Sequence, residues 1–156
     1  MSKNNFRSVY SPEIQRLAEV ALYLQRNFLT LITERVTKNN MSVSQFNLLG
    51  FLSQGHSLNM NKLASLMRHT MPATTGLMDR LVQAGLVERL ASKTDRRQVL
   101  AKITPKGTAL FNELKSQIAF TLSEITEKLS DDDLAAWLRI YNATHEYFVG
   151  IKYIEP

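Results

Sequence analysis

The spacing of the apolar residues changes in the middle of the chain, and this change restricts the possible folds more than any other feature. Before Gly85 the apolar residues recur three and four positions apart, which is typical of amphipathic helices. Residues 86–90 and 98–104 instead show the period of two that is typical of strands, and the polar segment 91–97 joins them. The helical spacing then returns. We therefore predict helices, one β-hairpin and further helices, which is a mainly α fold with a small β-hairpin (α+β).

Helix-capping residues indicate where the predicted helices begin and end. Ser, Thr or Asn before the first turn accepts a backbone hydrogen bond, proline suits the first turn, and glycine suits the position after the last turn. The three aspartates after Ser130 also suit the positive end of a helix dipole. These signals predict helices from Pro12 to about Asn39, from a capping box at Ser42 and Gln45 to Gly55, after Asn59, from Met71 to Ala84, and after Thr104 and Ser130.

The helices predicted at the two ends of the chain carry apolar faces that are longer than a small domain can cover. The first helix alone would be about 40 Å long at the usual rise per residue. We therefore expect a homodimer, in which residues 1–40 and 108–156 form a helical dimerisation region that is joined to residues 41–107 in one compact fold. The residues assigned to the dimer interface are Leu17, Leu122, Ile125, Leu134, Trp137, Leu138, Tyr141 and Phe148.

Three helices followed by a hairpin form the layout of a winged helix-turn-helix, whose last helix before the hairpin enters the major groove of DNA. That helix is 71–84 here. Its hydroxyl groups can bond either kind of base, and its small apolar groups can contact thymine methyls. The residues predicted to face inward are Thr74, Leu77, Met78 and Leu81. The residues predicted to contact DNA are Met71, Ala73, Thr75, Gly76, Asp79 and Arg80, with Arg68 and His69 placed at phosphates.

One glycine inside this helix needs an explanation, because glycine destabilises a helix interior by about 1 kcal/mol relative to alanine. One explanation is that the backbone at Gly76 lies close to a base pair or to the groove wall. The other is that Gly76 packs closely against another helix, or that it arose by sequence drift and has no structural role. The sequence leaves both explanations open.

The segment between the two strands carries three cations and one carboxylate. A hairpin tip with Lys93, Arg96 and Arg97 suits the narrow, electronegative minor groove. The carboxylate of Asp95 can orient one arginine through a bidentate pair. A solvated turn with an internal ion pair is the alternative, and it would contribute little to stability. The position of this segment after a helix-turn-helix favours the groove contact.

The charge distribution also favours a polyanionic partner. Residues 58–107 hold nine basic and three acidic side chains, whereas residues 108–156 hold four basic and eight acidic ones. A basic segment of this kind is typical of a nucleic-acid-binding surface, and the acidic segment should face away from DNA. A solvated basic face without a partner is the simpler alternative.

Several segments of the chain resemble the MarR (multiple antibiotic resistance regulator) family. They are 63–64, 77–81, 85–89, 95–97 and 103–107. The resemblance implies a dimeric winged-helix transcription regulator, with a repressor role expected, that binds a palindromic promoter site. It also implies that Arg97, positioned by Asp95, enters the minor groove. Gly76 departs from the family pattern, which usually has a larger polar residue at this position, and the departure bears on base preference.

The resemblance also implies a crevice between the dimer helices and the winged region that accepts an aromatic or phenolic effector. Cations suit the charge of such an anion, and polar aromatic edges suit its ring. The candidates by residue type are Arg16, Tyr23, Arg26 and His56. Exposed helix charges, and core packing of Tyr23, are the alternative interpretation.

The sequence offers little support for an enzyme. The absence of cysteine excludes disulfides, thiolate metal sites and thiol-based sensing. The three histidines lack metal-ligand spacing, and no phosphate-binding loop or nucleophile motif is present. We expect no catalytic site, cofactor or metal, and we expect a protein of the bacterial or archaeal cytosol, associated with the nucleoid and without a membrane segment.

Two other functions stay open from the sequence. A winged helix can serve as a protein-interaction module that never binds DNA, although the cations of the segment 91–97 favour DNA. The chain could also be an architectural protein that binds DNA without sequence preference. The ratio of specific to nonspecific affinity separates that function from a regulator.

Overall fold

The described chain is mainly helical and contains one small antiparallel sheet. The computed structural model describes residues 10–91 and 98–150, with side chains up to residue 147. The helices are α1 (Pro12–Thr37), α2 (Val43–Leu52), α3 (Met60–Met67), α4 (Met71–Gln83), α5 (Pro105–Thr126) and α6 (Asp131–Gly150). The strands are β1 (Leu58–Asn59), β2 (Val87–Ala91) and β3 (Val99–Ile103). The chain divides into two compact units, one that ends at Ser116 and one that begins at Gln117.

The predicted capping residues act as caps in the structure. Ser42 and Gln45 form a reciprocal capping box at the start of α2. The side chain of Asn59 accepts from the backbone N–H of Lys62 at 2.8 Å, and Ser130 accepts from the N–H of Asp133 at 3.2 Å. Local sequence therefore determines where these helices start, because each cap lies within three residues of the group that it binds.

The sheet has three strands in the order β1–β3–β2, whereas the sequence predicted a two-stranded hairpin. The predicted pair exists, with Val87 opposite Ile103 and Ala91 opposite Val99. The strand β1 was missed because two residues cannot show a period of two. It forms only when Leu58 pairs with Ala101, which is distant in sequence. The predicted hairpin is therefore confirmed, and β1 adds a short third strand to it.

Two predicted helix ends were also too late. The first helix ends at Thr37 and the second at Leu52. Ser53 caps α2 at its C-terminus, and Gly55, with a φ of 88°, lies beyond it in the turn toward β1. Gly55 therefore belongs to the loop that follows α2 and not to the last helical turn of α2.

The core of the first unit is built from one face of each helix around α4. Met78 and Leu81 of α4 are buried, and so is Thr74. The other fully buried large side chains are Val36, Leu48, Leu49, Leu52, Leu63, Val87 and Leu114. These contacts fix the rotation of α4 about its own axis, and its opposite face is left exposed.

The C-terminal end of α4 is joined closely to the start of α5. Gly85, with a φ of 70°, lets the N–H of Leu86 bond to the carbonyl of Leu81 at 2.9 Å, which is the Schellman arrangement. The hydroxyl of Thr104 donates to the carbonyl of Gly85 at 2.8 Å. The ammonium of Lys106 donates to the carbonyl of Ala84 at 2.8 Å. The carbonyls of the two residues that follow α4 therefore accept hydrogen bonds from α5 and from the residue before it.

Gly107 permits this close approach. A Cβ atom at this position would overlap the backbone carbonyl of Leu86, which is held in place because it accepts from the N–H of Thr104 at 3.0 Å. We expect Gly107→Ala to lower the free energy of unfolding by about 2–3 kcal/mol, the cost of overpacking a rigid contact. Urea unfolding at a fixed protein concentration measures this change.

The exposed neighbour Thr108 provides the control for this prediction. Thr108→Ala lies in the same turn of α5 and should change the free energy of unfolding by less than about 0.5 kcal/mol. Equal stability of both variants would contradict the close packing at Gly107.

Candidate nucleic-acid interface

The turn between α3 and α4 starts with an arginine in an unfavourable conformation. Arg68 has a φ of 52° and a ψ of 41°, the left-handed region that favours glycine. Its backbone N–H bonds to the carbonyls of Ala64 and Ser65 and ends α3. The side chain of Thr70 then accepts from the N–H of Ala73 and begins α4. The turn therefore contains three residues, and it presents the Arg68 side chain at the surface.

The predicted division of α4 into two faces agrees with the burial of its residues. Thr74, Met78 and Leu81 are buried, and Leu77 is half-buried. On the other side Thr75 is half-buried, and the exposed residues are Met71, Pro72, Ala73, Gly76, Asp79 and Arg80. Their contact with DNA remains a prediction. The exposed side chains in the first two turns of α4 are uncharged, and the charged ones, Asp79 and Arg80, come later in the helix.

An ion pair joins α4 to the adjacent strand. The Nη2 atom of Arg89 in β2 lies 2.5 Å from the Oδ1 atom of Asp79. Both side chains are about half exposed, so the pair contributes little to stability but restricts both groups. The carboxylate of Asp79, predicted to contact DNA, thus already has a cationic partner. Arg89 was missed from the sequence, since its pairing depends on how β2 packs beside α4.

A cavity of about 370 Å³ lies next to the helix-turn-helix within the first unit. Apart from His69, its lining residues have no ionisable side chain. They come from α2 and the turn after it, the end of α3 and the turn after that helix, and α5. They are Ser44, Phe46, Asn47, Gly50, Phe51, Gln54, Leu66, Met67, His69 and Phe111. The rings of Phe46 and Phe111 stack with their centroids 5.2 Å apart. Gly50 keeps the space open, since a Cβ there would lie 3.4 Å from the Phe111 ring.

His69 forms part of the cavity wall. The sequence placed its side chain at a phosphate, and the structure leaves it only half exposed. Its Nδ1 atom is buried and has no hydrogen-bond partner among the described residues. A buried polar atom without a partner is costly, so it is a potential hydrogen-bonding point for a molecule in the cavity. The sequence did not predict this cavity, because its lining residues come from separate elements of the fold.

The predicted effector residues lie elsewhere, and none of them lines this cavity. Arg16 pairs with Glu19 at 3.6 Å on the exposed surface of α1. The guanidinium carbon of Arg26 lies 5.7 Å from the ring centroid of Tyr23, which is a cation–π contact. Tyr23 is exposed and does not pack in the core. His56 is exposed in the turn between α2 and β1.

The predicted interface residues of the terminal helices are mostly uncovered in the single chain. Leu17 of α1 is 64% exposed. In the second unit Tyr141 is 66% exposed, and its ring contacts Trp137 edge to face at 6.1 Å. Leu122, Ile125 and Leu138 are also exposed, and Leu134 and Trp137 are half-buried. The role of these residues in a dimer remains a prediction.

Some predicted site residues lie outside the described part of the chain. They are Lys93, Asp95, Arg96 and Arg97 at the hairpin tip and the side chain of Phe148. Among the described residues, no group of three or more His, Asp or Glu side chains could hold a metal ion. No helix in residues 10–91 and 98–150 combines the length and apolar character needed to cross a membrane.

Comparisons with known proteins find similar sequences and similar structures. The sequence model of the MarR family matches residues 41–99. The chain is 32% identical over 99 residues to the uncharacterised HTH-type transcriptional regulator YfiV of Bacillus subtilis. That match covers 64% of this chain and 62% of the relative, which is less than two thirds of the relative's length.

Solved structures share the fold over most of the chain. A MarR family protein from Bacillus stearothermophilus is 23% identical, with a TM-score of 0.82 over 88% of this chain and 96% of its own. A cysteine-to-serine variant of Escherichia coli MarR complexed with operator DNA is 26% identical, with a TM-score of 0.64 over 85% of this chain and 95% of its own. The chain therefore has the winged helix-turn-helix fold of these proteins, and its residues 41–99 are similar to the MarR family of transcription regulators, as the resemblance implied.

Proposed function

We propose that this protein is a sequence-specific DNA-binding repressor that binds a palindromic promoter site as a homodimer. The observation that carries this proposal is the exposed face of α4, which is held in place by its buried opposite face. In the proposed complex α4 lies in the major groove, and the wing, residues 91–97, lies in the minor groove. The similarity to a MarR protein complexed with operator DNA supports this binding mode.

Base contacts are assigned to the first two turns of α4. These turns present Met71, Ala73 and Thr75, whose groups can contact thymine methyls or bond to base edges. Phosphate contacts are assigned to Arg68 in the turn and Arg80 later in the helix, because cations at these places would fix the register without sequence preference. His69, whose Nδ1 is buried, contributes less to this surface than the sequence predicted.

The wing supplies the second DNA contact in this proposal. Its two strands are held in register by pairing from Val87 to Ala91, and the ion pair of Arg89 with Asp79 orients β2 beside α4. The tip between the strands carries the cations Lys93, Arg96 and Arg97, with Asp95 among them. A cationic tip next to the recognition helix suits the adjacent minor groove.

A second copy of the chain would cover the exposed apolar faces of the terminal helices. In α1 these faces include Leu17, Leu22 and Leu24, each more than half exposed. In α6 they include Leu138, Ile140 and Tyr141. We assign residues 1–40 and 108–156 to dimerisation and 41–107 to DNA binding. Two-fold symmetry would then place the recognition helices about 34–36 Å apart, one turn of DNA.

Selection of binding sites from a random duplex pool tests this proposal. We expect recovery of a palindrome that the protein binds at least about 10³-fold more tightly than scrambled duplex, at each of two salt concentrations. Binding without an enriched sequence would instead identify an architectural protein. Absence of binding by ligand-free protein would favour the interaction module.

The conformation of Arg68 gives a second prediction, in which stability and DNA affinity change in opposite directions. Arg68→Gly relieves a left-handed backbone and should raise the free energy of unfolding by about 1 kcal/mol. It also removes a cation proposed to neutralise a phosphate. DNA binding should therefore weaken. The slope of the logarithm of the binding constant against the logarithm of the salt concentration should become shallower by about 0.9 for each phosphate that is no longer neutralised. Urea unfolding and titrations at several salt concentrations measure the two effects.

Asn40 offers a matched control for this variant. It has a φ of 53° and lies between α1 and α2, outside the proposed interface. Asn40→Gly relieves the same kind of conformation and should leave DNA affinity unchanged. If both variants bind DNA as wild type does, Arg68 does not contact a phosphate.

The cavity beside the turn is the proposed effector site. Its volume of about 370 Å³ suits a small aromatic molecule, and its lining is uncharged. Burial of a carboxylate there without a cation would be costly, so a neutral phenol is favoured over an aromatic acid. The phenol hydroxyl would donate to Nδ1 of His69. Binding would move His69 and thereby the turn that starts α4, which would release DNA.

A substitution of His69 tests this assignment. We expect the wild-type protein to dissociate from DNA at lower concentrations of neutral phenols than of the matching benzoates. His69→Phe should reduce the response to phenols about tenfold, the effect of one hydrogen bond to a buried group. His56→Phe, on an exposed turn, is the control. An equal response of the two variants, or stronger release by benzoates, would exclude this site.

A further inference from the structure

Gly76 has no explanation within the described part of its own chain. It lies in the middle of α4 and is exposed, and a Cβ atom there would meet no atom within 4 Å among the described residues. Four other glycines do have an explanation. Gly55 and Gly85 have positive φ values, Gly107 contacts a backbone, and Gly50 faces the Phe111 ring. Packing against the described residues is therefore excluded as the reason for Gly76.

The position of Gly76 on the helix points outward from the fold. Ala73 lies one turn before it and Arg80 one turn after it on the same face, because residues three and four apart are neighbours on a helix. Asp79, beside this face, is held by Arg89 of β2. Gly76 thus leaves a gap without a side chain between Ala73 and Arg80. This gap lies on the face that enters the major groove in the proposed function.

The chemistry of glycine restricts what this point can contact. Gly76 has no side-chain donor or acceptor, and its backbone groups lie in the hydrogen-bonded interior of α4. Only an apolar contact through its Cα remains. The apolar group that the four base pairs offer in the major groove is the C5-methyl group of thymine.

We propose that Gly76 is a specificity-determining residue, whose missing side chain lets the α4 backbone pack against a thymine methyl in each half-site. This inference rests on the proposed DNA-binding function. It predicts an A·T base pair at the position of each half-site that faces Gly76. It also explains why a residue that destabilises the helix is present at an exposed position.

The variant Gly76→Ala tests the proposal through two changes of opposite sign. Alanine is the better helix former, so the midpoint of thermal unfolding should rise by about 2–4 °C. The added methyl group would separate the helix from the base, so affinity for the selected site should fall about tenfold. Affinity for scrambled duplex should not change. A variant that failed to fold could not give this combination.

Replacement of thymine by deoxyuridine identifies the contact, because deoxyuridine lacks only the C5-methyl group. Replacement of one thymine in each half-site should weaken wild-type binding about three- to fivefold per half-site, the effect of one buried methyl group. The same replacement should not weaken binding by Gly76→Ala further. Gln83→Ala, at an exposed position near the end of α4, is the control and should respond to deoxyuridine as wild type does.

Three results would overturn the inference. The first is a Gly76→Ala variant that binds the selected site as tightly as wild type. The second is equal sensitivity of both proteins to every deoxyuridine replacement. The third is a lower unfolding midpoint for Gly76→Ala, which would place another protein surface at this position. If wild type selects no sequence at all, the proposed function itself fails, and the inference fails with it.

Discussion

The end of α4 is the structural constraint on which the two proposed DNA-contacting elements depend. Gly85 reverses the chain and Leu86 returns to the core. The side chains of Thr104 and Lys106 donate to the carbonyls of Gly85 and Ala84. Because β2 starts directly after this junction, the direction of the wing follows from the direction of the helix. Gly107 allows α5 to approach closely enough for both bonds. A change at this junction would therefore move the helix and the wing together.

The proposed DNA-contacting surface contains two residues that oppose local backbone preference. Glycine would suit the left-handed conformation of Arg68, and almost any other residue would suit the helical conformation of Gly76. Each residue destabilises the free protein. In the proposed complex Arg68 would supply a cation at the turn, and Gly76 would supply a position on the helix without a side chain. This pattern fits the general observation that residues at binding sites often have conformations that reduce the stability of the free protein. Asn40, far from the helix-turn-helix in sequence, shows that a left-handed residue alone is not evidence of function.

The cavity and the helix-turn-helix share one residue. His69 lines the cavity and also lies in the turn between Arg68 and Thr70, which caps α4. Any molecule that bonds to its buried Nδ1 would therefore act on the start of the recognition helix at short range. In the proposed function a neutral ligand would occupy this cavity, in contrast to the anions expected from residue types alone. Arg16 and Arg26 remain as surface cations of α1, engaged with Glu19 and Tyr23.

The sequence by itself determined the order of the elements, the helix caps and the buried face of α4. Each of these depends on residues a few positions apart, such as Ser42 with Gln45 or Thr74 with Met78. The tertiary structure alone decided the third strand, the ion pair of Asp79 with Arg89 and the cavity at His69. These features join residues from separate elements, and apolar periodicity sets only which face of an element is buried. It does not set which residue of the next element that face will meet.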